Sequence, residues 1–226
     1  MFASLVNFIS NSIQFFYEVT ASIGFPNYGL AIILFTVVVK MFLFPLTSTQ
    51  VRSMKKMQEI QPKIMEIQTK YKKDPQKAQQ AVMELYQKAG VNPFAGCLPL
   101  LVQMPILFAL FSSLRVFFDP VQHPAYVNLD HAHFLWIKNL GAPDPWILPI
   151  LVAGFTFLQQ KISMGPSNDQ TQKTMLYIMP LMIAWFSRSF PSGLALYWVM
   201  YSIISSLEHL VIRRTPGRIK EEAVQK

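Results

Sequence analysis

The chain has 226 residues, of which 52% are hydrophobic and 14% are charged, and its formal net charge is +8. An ordinary soluble domain has roughly 25% charged residues, and a disordered chain has low hydrophobicity and dense charge. This composition excludes a disordered chain, disfavours a soluble domain and indicates a membrane protein. The single cysteine, Cys97, excludes an internal disulfide and a metal site built from several thiolates.

Residues 1–25 form the first predicted element, an amphipathic helix. Apolar side chains recur at helical spacing, with Ser, Asn and Gln residues and Glu18 between them. The segment lacks the basic region and the cleavage site of a signal peptide. We expect it to lie on the outer membrane surface, with a sixth membrane span as the alternative.

Five apolar runs approach the roughly 20 residues that a helix needs to cross a bilayer. They cover residues 28–49, 97–117, 146–163, 175–190 and 193–212. The expected fold is therefore an all-α, five-helix transmembrane bundle. Its predicted parts are a core (26–50 and 97–213), an outer loop (118–145) and a short basic tail (214–226).

Basic residues are concentrated in two segments, which predicts the orientation of the chain. Nine Lys and Arg residues fall between Arg52 and Lys88, and five fall from Arg213 onward. Cytoplasmic loops carry such an excess, so the C-terminus is expected inside and the N-terminus outside. The absence of a large outer domain and of a transit peptide favours a bacterial plasma membrane.

Residues 51–92 are predicted to form a cytoplasmic hairpin of two helices. Apolar side chains step by three or four residues from Met54 to Tyr71, and a second stripe runs from Ala78 to Ala89. Asp74 and Pro75 separate the two stripes, because this dipeptide breaks a helix. Two narrow stripes favour an antiparallel coiled-coil pair.

The hairpin is strongly basic, and two interpretations of its charge stay open. Its nine basic and four acidic residues leave it at +5. It is either a solvated loop that enforces topology or a mobile docking element for a ribosome, a targeting factor or anionic lipid headgroups. The candidate recruitment residues are Lys55, Lys56, Lys63, Lys70, Lys72 and Lys73.

Lys40 is the candidate functional residue inside the membrane. It lies twelve residues before Arg52, which is about 18 Å of helix and close to mid-bilayer depth. A charge there costs about 3 kcal/mol or more unless it faces water or a counter-ion. Among the other predicted spans the one carboxylate is Glu208, near a cytoplasmic end, so we expect no ion pair. The sequence predicts an unpaired cation in a hydrated polar groove, with a structural snorkelling lysine as the alternative.

Catalytic, metal and cofactor sites are not expected. The sequence offers no nucleophile with an adjacent base and no chain of carboxylates for proton transfer. His123, His131 and His133 surround Asp130 in the outer loop. That arrangement is typical of a polar loop more often than of a metal site.

Four stretches of the chain resemble the YidC family of membrane protein insertases. They read FTVVVKMFLFPLT, MQEIQPKI, ELYQKAGVNPFAGCLPLLVQMPILFALF and FPSGLALYWVMYSII. The third is the most specific, because its Asn-Pro, Gly-Cys-Leu-Pro and Gln-Met-Pro elements recur at this spacing in few other proteins. The resemblance covers about residues 26–213.

The resemblance implies a hydrophilic groove that opens to the cytoplasm and to lipid and is closed on the outer side. Lys40 matches the position of the groove cation of that family, where Arg is common. Lysine keeps the positive charge but lacks the planar guanidinium with its five donors. Thr36, Trp198 and one of two neighbouring glutamines match other groove positions. The full set of candidate groove residues is Lys40, Thr36, Gln103, Gln159, Gln160, Trp198 and Tyr197.

The function that the resemblance implies is membrane protein insertion and chaperoning without nucleotide hydrolysis. The implied partners are nascent membrane proteins, the Sec translocon, a ribosome or targeting factor, and anionic lipids, and no DNA partner is expected. Two other classes stay open from the residues: a small-solute transporter, which lacks sequence support from internal repeats, and an assembly scaffold without a hydrated groove.

Overall fold

The computed structural model describes residues 2–92, 98–164 and 170–214, and seven α-helices lie within these ranges. They are α1 (Phe2–Ser22), α2 (Tyr28–Lys70), α3 (Pro75–Lys88), α4 (Leu98–Phe117), α5 (Ile147–Met164), α6 (Gln170–Ser187) and α7 (Ser192–Arg214). The same ranges contain no strand, and an isolated bridge pairs Phe134 with Ile137. The all-helical fold class is confirmed.

Each predicted span coincides with a helix, because long apolar runs are the strongest helical signal in the sequence. Within the described ranges, α2, α5 and α7 are long and apolar enough to cross a membrane, and residues 101–117 of α4 form a shorter apolar helix. The count of five spans and the sides on which the termini lie stay predictions. Cys97 and residues 215–226 of the predicted tail lie outside the described residues.

One end of the bundle is closed by an apolar core. Tyr28, at the start of α2, is fully buried and packs edge-on against Phe117 and Phe118, with ring centroids 5.4 and 5.3 Å away. Leu140 is also fully buried, and its carbonyl accepts a hydrogen bond of 2.8 Å from the Gly193 backbone. We call this end, where residues 118–145 cover the helix termini, the loop end.

Side-chain hydrogen bonds hold the 118–145 segment in place. The Asp144 carboxylate accepts hydrogen bonds from the backbone N–H groups of Trp146 and Ile147, at 2.9 and 2.8 Å, and so caps the start of α5. Two of the loop histidines are held by hydrogen bonds: His131 Nδ1 to the Tyr17 hydroxyl (2.5 Å), and His133 Nδ1 to the Asp130 carbonyl (2.8 Å). The first hydrogen bond joins the loop to α1, and the second lies within the loop, so each of these two imidazoles has a structural contact.

Helix α1 packs on α2 and α4 near the loop end. Tyr17 stacks on Tyr28 with ring centroids 4.1 Å apart, and the Ser10 and Ser113 hydroxyl groups are 2.8 Å apart. Ile9 and Ile13 are buried. The predicted helix is present, and its position on the outer membrane surface stays a prediction.

Helix α2 is continuous from the first predicted span into the predicted hairpin. Its 43 residues include Pro45 and Pro62. It ends at Lys70, and α3 begins at Pro75. The Asp74 side chain caps the start of α3 by accepting a hydrogen bond of 3.1 Å from the Lys77 backbone N–H. The predicted break at Asp74 and Pro75 is therefore where the chain turns. Since α3 buries none of its residues, coiled-coil pairing of the hairpin stays a prediction.

The hairpin turn is expected to weaken in acid. The N–H groups of Lys77 and Gln76 and the ammonium of Lys77 hold the pKa of the exposed Asp74 carboxyl below its usual value. A carboxyl whose folded pKa is lowered stabilises the fold above its unfolded pKa, and that contribution is lost as the pH falls through the folded pKa. Amide protection factors across residues 75–88, measured by hydrogen exchange, should fall over this acidic range. In Asp74→Asn, which keeps an acceptor without titrating, an equal fall would contradict the assignment.

Gly29 is expected to be intolerant of a side chain. A Cβ at this position would collide with the Phe134 ring and lie 2.5 Å from the Phe134 Cβ. Gly29→Ala should therefore lower the free energy of unfolding by about 1–3 kcal/mol, although alanine is the better helix former. The matched control is Gly154→Ala in α5, where a Cβ would meet nothing within 4 Å. Thermal unfolding in detergent should show Gly154→Ala at or above wild type, and equal loss in both variants would contradict the collision.

Candidate functional site

A polar cavity of about 230 Å³ lies in the half of the bundle next to the hairpin. Five helices supply its walls, and its lining combines amide, hydroxyl, imidazole and thioether groups. The lining residues are Lys40, Thr47, Gln50, Met54, Gln103, Thr156, Gln159, Gln160, Ser163, Met164, Met179, Ile183, Trp198, Tyr201, Ser205 and His209. The apolar core closes the bundle on the opposite side, at the loop end.

Five of the seven predicted groove residues line this cavity: Lys40, Gln103, Gln159, Gln160 and Trp198. The other two are not part of the lining. Thr36 is fully buried and its hydroxyl donates to the Ile32 carbonyl at 2.7 Å. Tyr197 is also fully buried, and its hydroxyl oxygen accepts a hydrogen bond of 2.8 Å from Gln103 Nε2. Tyr197 therefore orients a lining amide.

Lys40 is paired, so the expectation of an unpaired cation is wrong. Its ammonium lies 2.5 Å from the Glu208 carboxylate and donates to the Ser205 hydroxyl at 2.9 Å. It also sits over the Tyr201 ring, 4.5 Å from the ring centroid. Both charged side chains are nearly inaccessible, at 3% and 9% exposure.

The pair forms because α2 and α7 run in the same direction from the loop end. Gly193 of α7 lies against Ile32 of α2. Further along the same two helices, Lys40 contacts Ser205 and Glu208. A lysine stem is long enough to reach toward the hairpin, and a helical glutamate leans back toward the start of its own helix. The prediction assigned the Lys40 and Glu208 backbones to different depths in the membrane. It did not allow for the length and direction of the two side chains, which bring the charged groups together.

The hydroxyl groups, the histidine and Gln50 in the lining were not predicted from the sequence. The signal that could have found those on α7 is the spacing of Tyr201, Ser205 and Glu208, which places three polar side chains on one face of an apolar helix. The Trp198 indole N–H donates to the Thr156 hydroxyl at 3.0 Å, and the Ser163 hydroxyl is 2.9 Å from His209 Nδ1. The walls are thus joined across α5 and α7.

The cavity is suited to water. Gln160 Oε1 is buried and, in the part of the chain that the structure describes, has no hydrogen-bond partner. A buried acceptor without a protein partner in a polar space is where a protein places ordered water. At roughly 30 Å³ per water molecule, the volume admits several.

The base of the hairpin is tied to the rim of the cavity. Gln58 Nε2 donates to the carbonyls of Ser163 and Met164, each at 2.7 Å. Arg213 donates to Gln58 Oε1 and to the Ser163 carbonyl, both at 3.1 Å. Helix α2, after it leaves the bundle, is therefore anchored to the ends of α5 and α7.

The six candidate recruitment lysines are all exposed on the hairpin: Lys55, Lys56, Lys63, Lys70, Lys72 and Lys73. Two hairpin ion pairs involve other lysines, Lys77 with Asp74 at 3.0 Å and Lys88 with Glu84 at 3.7 Å. The exposed cations therefore lie mainly along the hairpin arm of α2 and at the turn.

Comparisons with known proteins agree on one family. Residues 19–220 match the family model of the 60Kd inner membrane protein. The chain is 48% identical over 200 residues to the membrane protein insertase YidC of Oceanobacillus iheyensis, covering 83% of this chain and 75% of that protein. It is 42% identical over 189 residues to the YidC of Fusobacterium nucleatum, covering 83% and 87%.

Longer relatives and a solved structure match as well. The YidC of Geobacter sulfurreducens is 39% identical over 217 residues, which are 95% of this chain and 38% of that protein. The chain thus spans well under half the length of such relatives. A crystal structure of an active YidC insertase with its first transmembrane domain resolved superposes with a TM-score of 0.71 at 30% identity, over 92% of this chain and 46% of that one. The chain belongs to the 60Kd inner membrane protein family, the family of the YidC membrane protein insertases.

Proposed function

We propose that this chain inserts membrane proteins by admitting their short polar segments to the cavity around Lys40 and releasing their apolar helices to lipid. The observation that carries the proposal is the position of the cavity. Polar side chains line the half of the bundle next to the hairpin, and an apolar core closes the loop end. A polar segment could then enter partway without an open pore through the bundle.

The physical problem that the cavity solves is desolvation. Moving an amide or hydroxyl group from water into hydrocarbon without a partner costs roughly 2–7 kcal/mol, and a charge costs more. Amide and hydroxyl groups of the lining, such as Gln159 and Thr156, replace part of the lost hydration. The barrier for the polar segment falls with each hydrogen bond that the lining or its water supplies.

The driving force is burial of the new span in lipid. Each methylene group removed from water contributes about 0.8 kcal/mol, so no nucleotide hydrolysis is needed. Helix α6 has a surface of exposed apolar side chains suited to guide such a span: Met175, Ile178, Leu181, Met182, Trp185 and Phe186. Thioether side chains adapt to many shapes, which fits a variable set of substrates.

The remaining parts of the proposal concern topology and recruitment. Five spans, with the N-terminus outside and the C-terminus in the cytoplasm of a bacterial cell, would put the hairpin and the cavity on the cytoplasmic side, where nascent chains arrive. The exposed hairpin lysines would attract a ribosome, a targeting factor or anionic lipid headgroups. Cooperation with the Sec translocon belongs to the same proposal, and no cofactor or catalytic residue takes part in it.

Insertion into proteoliposomes tests the proposal. The reporter is a single-span protein with an acidic outer tail, read by protease protection in vesicles with and without the protein. We expect insertion above empty vesicles, and a smaller gain for a tail-less reporter. Insertion equal to empty vesicles would overturn the proposal and favour the scaffold. Substrate-coupled solute flux in its place would favour the transporter.

A further inference from the structure

Three side chains on one face of α7 hold the Lys40 ammonium. Tyr201, Ser205 and Glu208 follow one another at intervals of four and three residues, so they share a face of the helix. The Glu208 carboxylate, the Ser205 hydroxyl and the Tyr201 ring lie within 2.5, 2.9 and 4.5 Å of Lys40 Nζ. An ammonium has three N–H donors, and these three neighbours can engage all of them.

Glu208 lies on the far side of Lys40 from the polar cavity. Lys40 lines both the cavity and a second, apolar groove of about 360 Å³ between α2 and α7, whereas Glu208 lines only the second. The other residues that line this groove are Val37, Met41, Phe44 and Ile204. A group that enters the polar cavity thus meets a cation whose charge is already balanced from behind.

We propose that Glu208 is a specificity-determining residue for insertion, acting as a built-in counter-ion that competes with acidic groups of the incoming segment. The inference rests on the function proposed above and adds which polar segments this chain accepts. With Glu208 present, the site around Lys40 is close to neutral. It therefore gives acidic segments little advantage and tolerates neutral and basic ones.

The competition is unequal because Glu208 is attached to the same molecule. An intramolecular partner acts at an effective concentration in the millimolar range or above, and the low dielectric of the buried site strengthens its attraction for Lys40. An acidic group of a substrate has to displace it.

The test compares three reporters that differ only in the outer tail: acidic, neutral or basic. Each is inserted into proteoliposomes that contain wild type, Glu208→Gln or the control Ser206→Ala. Ser206 neighbours the α7 face described above, and its hydroxyl donates to the Ser202 carbonyl within the same helix. We expect Glu208→Gln to raise the ratio of acidic to basic insertion about tenfold, in line with the coupling measured for close charge pairs, and Ser206→Ala to leave the ratio unchanged.

A second background keeps the test valid if Lys40 loses its proton when Glu208 is removed. Arginine stays protonated in proteins, so Lys40→Arg is compared with Lys40→Arg/Glu208→Gln. The same rise in the ratio is expected. An unchanged ratio in both backgrounds, with neutral-tail insertion still above empty vesicles, would overturn the role of Glu208 and leave the insertase function standing. Neutral-tail insertion equal to empty vesicles for wild type would overturn both.

Discussion

Replacing Lys40 with methionine is expected to lower the free energy of unfolding by about 3–5 kcal/mol, because it leaves the buried Glu208 carboxylate without its partner. Methionine keeps most of the unbranched stem, so the loss reports on the charge. The two side chains are 3% and 9% exposed, so solvent can do little to stabilise a Glu208 carboxylate that has lost its partner. Thermal or denaturant unfolding in detergent micelles measures the effect.

The double variant Lys40→Met/Glu208→Gln provides the control. With both charges gone, neither group is buried unpaired, and stability should recover most of the loss. The interaction energy of the double-mutant cycle is expected to be several times larger than that of an exposed pair such as Lys88 with Glu84, 3.7 Å apart. A single variant as stable as wild type would show that the pair does not hold α2 against α7.

Replacing three of the four cavity glutamines with leucine is expected to cut insertion of polar-tailed reporters tenfold or more. Gln103→Leu, Gln159→Leu and Gln160→Leu together remove all lining amides except that of Gln50, while roughly preserving volume. Losing even one compensating hydrogen bond for a buried polar group costs about 1–3 kcal/mol, and each 1.4 kcal/mol is a factor of ten. The measurement is protease protection of the reporter at equal amounts of inserted protein.

The matched control puts asparagine at the same three positions, which shortens the side chains and keeps the amides. It should retain most of the activity, and a tail-less apolar reporter should insert equally well with all three proteins. Equal loss in the leucine and asparagine variants would assign the defect to packing instead of cavity polarity. Loss of tail-less insertion in the leucine variant would show that it is misfolded.

The sequence allowed the helices to be predicted well, because their signals are local. Apolar runs gave α4, α5, α6 and α7 within a few residues, and the Asp74 and Pro75 pair marked the hairpin turn. Five of the predicted groove residues, drawn from the apolar runs of α2, α4, α5 and α7, also lie together around the cavity. Polar positions are rare in an apolar span, so each carries information.

What the sequence did not reveal depends on three-dimensional register. The partner of Lys40 is 168 residues away in the chain, on a helix whose lateral position no local pattern specifies. Hydroxyl groups such as those of Thr156 and Ser163 are common in transmembrane helices, where they bond their own backbone. Only the packing of the helices shows that these two hydroxyl groups line the same cavity. The continuity of α2 was also not predicted: the predicted span ends at residue 49 and the predicted hairpin begins at 51, whereas one helix runs through both and contains Pro45 and Pro62.

Photo-crosslinking from inside the cavity shows whether the polar tail of an inserting protein passes through it. A photoreactive residue at Gln159, which lines the cavity, is compared with one at Leu158, the neighbouring α5 residue, which is 43% exposed and outside the lining. Both are combined with a reporter arrested halfway through insertion. We expect the polar tail to crosslink from position 159 and not from position 158. Equal crosslinking from both positions, or crosslinking from 158 alone, would contradict passage of the tail through the cavity.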